Sequence, residues 1–255
     1  MERGSGVAQA IGAVMRSPDK AMVLDPHWPK ALRALEQEVT GCGRCPRLVA
    51  WREEVAAAKR RAYQNCEYWG RPVPSFGDAH ARLVIIGLAP AAHGGNRTGR
   101  MFTGDRSGDF LYQALYENGF ANQPESRSRE DGLVLTDAFI TAPVRCAPPD
   151  NKPSRDEVAE CRRFFHRTLD FLTEARVVVA LGSFAFSEYV RYLVDRKRLT
   201  SRSAFRFGHG ALYATYAGGP KLLGCYHPSQ QNTSTGKLTA DMLRDIFRRA
   251  REVIG

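Results

Sequence analysis

Residues that could do chemistry gather in a few short segments of this chain. The longest, GLAPAAHGGNRTGRMFTGDRSG (87–108), carries five glycines from Gly94 to Gly108, with His93, Asn96, Arg97, Arg100, Phe102 and Asp105 among them. Glycines let backbone N–H groups approach a ligand closely. Arginines suit phosphates, and Phe102 offers a stacking face to a flat molecule. No Gly-Lys-Ser/Thr closes the segment and no GxGxxG occurs in it, so neither familiar nucleotide loop is expected. A connection of this length inside a compact domain is uncommon unless it has work to do. Asp105 also suits the plain role of N-cap for the helix that follows. Further on, His227-Pro228-Ser229 presents an imidazole that either meets a ligand or packs at a strand end.

Six cysteines are present, and four of them are spaced Cys42-x2-Cys45-x100-Cys146-x14-Cys161. Four thiolates can hold zinc or an iron–sulfur cluster, and spacing alone does not choose between them. Four free buried cysteines would give the same pattern. Cys225 reads as strand core, and Cys66 has no assigned role.

The elements that must position these groups alternate. Apolar, β-branched runs at 82–90, 134–143, 176–183 and 221–229 read as strands, and ALYATY (211–216) has the period of an edge strand. Helices are expected over 28–39, from Pro46, over 107–119, over 154–172 behind a Ser154/Glu157 capping box, after the third strand, and at the C-terminus. Strands apolar throughout and separated by helices imply an α/β fold, a three-layer α-β-α sandwich around a four-stranded, mainly parallel sheet. Ligands of such sheets bind beyond the carboxyl ends of the strands. The segments at 87–108, 142–153, 181–183 and 227–236 all belong at that edge.

Residues 1–25 are weakly patterned and expected to be a loose extension, with 26–255 a single domain. The net charge of +10 favours a polyanionic partner. The basic stretch 191–210 interleaves arginines with Phe205 and Phe207, a pattern suited to a nucleic-acid edge. No apolar run is long enough to span a membrane and no signal peptide is apparent, so a cytoplasmic location and no disulfide framework are expected.

Taken in order, GLAPAAHGGNRTGRMFTGD (87–105), VRCAPPDNKP (144–153), HPSQQNTSTGKLT (227–239) and the four cysteines resemble the uracil-DNA glycosylase superfamily. The match is closest to its family 5, the UDGb type of bacteria and archaea. The resemblance implies a monomeric base-excision enzyme acting on double-stranded DNA that contains uracil or another deaminated base. It implies a structural 4Fe–4S cluster on Cys42, Cys45, Cys146 and Cys161. It makes Asp105 and His227 catalytic, with Phe102 under the flipped base and Ala89, Asn151, Ser229 and Asn232 as further substrate contacts. Ser229 to Thr233 would form the loop that wedges into the duplex. Where related family 4 enzymes carry a Glu and an Asn, this chain has Leu88 or Ala89, and Ala142. Fewer specifying hydrogen bonds imply a broader base range, including hypoxanthine, xanthine and ethenocytosine. Lys152 is the nearest lysine, and no lyase step is expected. Two other classes fit parts of the pattern: a non-catalytic iron–sulfur module that binds damaged DNA, and a zinc-stabilised nucleotide hydrolase.

Overall fold

A computed structural model describes residues 24–255. Residues 1–23, nearly all of the expected extension, lie outside the described residues. In chain order the elements are α1 (Lys30–Thr40), α2 (Pro46–Ala58), β1 (Phe76–Gly77), β2 (Leu83–Ile86), α3 (Gly95–Thr98), α4 (Arg106–Glu117) and β3 (Ala138–Thr141). They continue with α5 (Arg155–Phe171), β4 (Val177–Leu181), α6 (Ser183–Asp195), β5 (Leu212–Tyr213), β6 (Lys221–Cys225), α7 (Gln230–Ser234) and α8 (Ala240–Ile254).

The strands form one sheet in the order β1-β3-β2-β4-β6-β5. The four inner strands are parallel, in the expected number. Each outer strand adds a two-residue antiparallel edge, making six. β5 falls inside the period-two run at 211–216. β1 escapes sequence reading because two residues carry no periodicity.

Alternate strand residues face opposite layers, as a pleated sheet requires. Leu83, Ile85, Val177, Val179, Leu223 and Cys225 join Leu111 and Leu115 of α4 and Ile246 and Phe247 of α8. Val84, Ile86, Val178, Ala180 and Leu222 join Leu32 and Leu35 of α1, Phe164 and Phe165 of α5, and Phe186 of α6. Burial on both faces explains why these strands are apolar throughout.

Local signals set the helix starts. Pro46 opens α2. The Ser154 hydroxyl accepts from the Glu157 N–H while the Glu157 carboxylate accepts from the Ser154 N–H, the expected capping box. The 191–210 stretch departs from expectation. Phe207 packs on Phe186 at 5.7 Å and Phe205 on Tyr213 at 5.2 Å, so these rings complete the sheet-face cluster and do not form a stacking platform. Among the described residues no helix is long and apolar enough to cross a membrane.

Candidate active site and cysteine cluster

The carboxyl ends of β2, β4 and β6 bring two of the expected site residues, Phe102 and His227, together. Gly87, directly after β2, leaves room for the Phe102 ring; a Cβ there would stand 2.9 Å from its edge. The Phe102 ring lies 6.0 Å from the His227 ring, centroid to centroid, with planes 33° apart. Phe102 itself adopts a left-handed backbone with φ 51°, a conformation costly for an aromatic residue and typical of functional sites. Gly182, after β4, packs against the His227 side chain and donates its N–H to the Cys225 carbonyl at 2.7 Å.

Asp105 follows in the same loop as Phe102. It is the N-cap of α4, its Oδ1 accepting from the Gly108 N–H at 2.9 Å. The plain capping role is therefore real, but it is not the whole environment. The carboxylate is pressed against Gly94 so closely that any side chain at 94 would overlap it. Desolvation raises its pKa above the usual carboxylate range, against the opposing pull of the Gly108 and Ser107 N–H groups and of Arg97. A carboxylate so placed is a poised proton acceptor. His227 is partly accessible at its rim but deep among protein atoms, and desolvation lowers its pKa to about 4. The imidazole is thus neutral near pH 7, able to donate one N–H without carrying charge.

The first loop is held from beneath. Arg100, 3% exposed, donates to both oxygens of Asp131 (2.8 and 2.7 Å), to the Ser126 hydroxyl (2.9 Å) and to the Thr103 hydroxyl (2.9 Å). Tyr112 donates to the Met101 carbonyl at 2.9 Å and the Gly104 N–H to the Ser126 carbonyl at 2.8 Å. Arg100 therefore shapes the loop and is not free to meet a phosphate. Ser126 and Asp131 carried no signal in the sequence, because their role comes only from being folded under a distant arginine.

The remaining substrate candidates are differently placed. The Asn232 amide donates to the His227 carbonyl at 2.9 Å, and the Ser229 hydroxyl caps α7 by accepting from the Asn232 N–H at 3.3 Å. Residues 230–234 form this short helix and not the expected open loop. Asn151 is exposed in a turn with φ 56°. Ala89 packs partly against Leu48, Val144 and Cys146, towards the cysteines. Ala142 is buried in the core.

Cys42, Cys45, Cys146 and Cys161 line one cavity with Leu48, Val144 and Phe164. Cys42 follows α1, Cys45 is the N-cap of α2, Cys146 follows β3 and Cys161 lies on α5. All four thiols are free. Burial pushes Cys45 up to about 11 and Cys161 up to about 12, with neighbouring thiols adding to both. The Arg52 Nη1 donates to Cys146 Sγ at 3.0 Å, and its buried Nε has no partner. Among the described residues no group of three or more His, Cys, Asp or Glu is placed to hold a metal ion. Beside the cavity, the buried pair Arg145–Glu36, at 3.2 Å and shared with the Thr168 hydroxyl, ties the segment after β3 to α1 and α5.

Residues 74–251 match the family described as the uracil DNA glycosylase superfamily. A type-5 uracil-DNA glycosylase of Mycobacterium leprae is 51% identical over 222 residues, covering 87% of this chain and 95% of that protein. One from Thermus thermophilus is 49% identical over 222 residues, covering 87% and 98%. A type-4 enzyme of Thermotoga maritima is 29% identical over 172 residues, covering 67% and 77%. With Phe102 and His227 facing one another where the parallel strands end, and with this likeness over most of its length, the chain belongs to the uracil-DNA glycosylase superfamily, beside its type-5 members.

Proposed function

We propose that this protein hydrolyses the N-glycosidic bond of uracil in DNA, leaving an abasic site, and accepts hypoxanthine, xanthine and ethenocytosine as well. The pairing of Phe102 with a neutral, desolvated His227 carries the proposal. A base turned out of the duplex would stack on Phe102. As the C1′–N bond breaks, its electron pair passes to the base, and the His227 N–H stabilises the growing charge on a base oxygen. Asp105 holds a water, takes its proton and directs its oxygen to C1′. Apolar Ala142, where a selecting amide would sit in family 4, supports the broader base range. The strand would be left intact. The protein would act as a monomer on double-stranded DNA.

Cys42, Cys45, Cys146 and Cys161 fit a 4Fe–4S cluster, being four free thiols around one cavity with a guanidinium beside them. Such a cluster would supply a structural brace between α1–α2 and β3–α5. The test is release of free base from uracil-containing duplex by purified protein, compared with Asp105→Asn and His227→Ala. Wild-type rates in both variants would overturn the site assignment.

A further inference from the structure

We propose that a separate cleft, reached by the end of α3, holds the unpaired strand where a damaged nucleotide in duplex borders single-stranded DNA; this rests on the DNA-glycosylase reading above. The cleft measures about 840 Å³. That lies within the range of ligand-binding clefts. It is lined from α2, the segment after it, the end of α3 and the 127–130 turn.

Its lining is cationic. Arg52, Lys59, Arg71, Arg97, Arg127 and Arg129 face three carboxylates, Glu53, Glu67 and Glu130. Lys59 donates to the Gln64 carbonyl at 3.2 Å, and Arg97 to the carbonyls of His93 at 2.8 Å and Gly104 at 2.6 Å. Backbone carbonyls orient Lys59 and Arg97 without cancelling their charge, whereas Arg129 is paired with Glu130 at 3.1 Å and Arg52 is turned to Cys146 Sγ. Arg127 pairs with Glu125, but both side chains are more than half exposed, so water screens the pair.

Aromatic and guanidinium planes stand among the charges. Trp69 and Tyr68 line the cleft, and the Arg129 guanidinium lies over the Trp69 ring at 5.0 Å. Basic side chains interleaved with such planes are how proteins follow a single strand without reading its sequence. Lys59 adds an independent sign. Its φ of 52° and ψ of 158° fall in a region that glycine almost alone occupies, yet a lysine stands there at the cleft wall.

The cleft is also tied to the loop that carries Phe102 and Asp105. Gly94, at the start of α3, abuts Asp105, while Arg97, near its end, reaches the cleft and bonds Gly104 of the same loop. A strand leaving Phe102 would pass along α3 to reach it.

The experiment titrates the full-length, iron-loaded protein with a labelled, uracil-free thymidine oligonucleotide over a range of salt, read by fluorescence anisotropy. Lys59→Gly removes the charge while relaxing the backbone, and Arg127→Gln removes an exposed one. The double variant should bind at least several-fold more weakly, with the log–log salt slope reduced by about 1.4, about 0.7 per lost phosphate contact. Its excision from a short duplex without single-stranded flanks should equal wild type. Unchanged oligonucleotide affinity and slope would overturn the proposal, as would binding confined to duplex. If no base is released from any substrate while the double variant still loses oligonucleotide binding, the cleft stands and the glycosylase reading fails.

Discussion

The two ends of the parallel strands are finished in different ways. At the amino ends, Asp137 has a left-handed backbone with φ 56°, and its carboxylate is fully engaged. The Arg82 Nε and Nη2 donate to it at 3.0 and 2.8 Å, the Arg82 N–H at 2.8 Å, and Arg251 at 3.4 Å. At the carboxyl ends, Phe102 has nearly the same strained φ of 51°, but no charged pair accounts for it. Asp105 there is desolvated, and no cause other than desolvation moves His227. Strain at one end is matched by an ion pair that stabilises the fold. At the other it holds a ring beside groups whose protonation is displaced, the pattern of a site shaped for a reaction.

Substitutions can break this contrast. The largest effect should come from Asp105→Asn. Asparagine caps a helix about as well as aspartate, so thermal stability should change little while single-turnover base release falls about 10²- to 10⁴-fold. An equal loss of stability and activity would reduce Asp105 to a cap. His227→Ala should lower base release about 10²-fold, the usual cost of losing one charge-stabilising donor. Below it in catalytic effect, Cys161→Ser tests the proposed cluster: iron and an absorbance near 400 nm, roughly where ferric–thiolate charge transfer falls, should accompany the wild-type protein and be lost from the variant. The substitution should also lower the melting temperature. Iron content unaltered by that change would remove Cys161 from the ligand set.

The pH dependence of stability sharpens the same comparison. An unfolded His227 takes up a proton as pH falls through about 6.5, whereas the folded one resists until about 4. The unfolded state therefore binds more protons across that window, and stability falls as pH drops through it. His227→Asn should flatten this part of the profile in urea unfolding at pH 7 and pH 5. The smallest effect belongs to the opposite edge. Asp137→Asn should cost about 1 kcal/mol of stability and leave base release unchanged.

Much of this was legible in the sequence, and what escaped has physical reasons. The inner strands are buried on both faces, so their composition alone announced a parallel sheet. Ser154 with Glu157, and Pro46 at the start of α2, are local signals that survive without tertiary context. Phe102, Asp105 and His227 could be placed at one edge because strand ends converge in this topology. The anchors Ser126 and Asp131 could not, since nothing local marks a residue that serves an arginine far along the chain. Phe205 and Phe207 misled for the opposite reason: aromatics among arginines look alike whether they wait for a base or fill a gap above the sheet.

The buried clamp on the first loop decides who must move. Arg100 holds Thr103 with one hydrogen bond and the 126–131 turn with three, in a nearly solvent-free setting. Loosening it would strand a desolvated guanidinium, so the platform bearing Phe102 stays as it is when a substrate arrives. Distortion then falls on the nucleic acid: lesions that already sit loosely in their helix should reach the platform sooner than well-paired ones, and selection begins with how easily each yields.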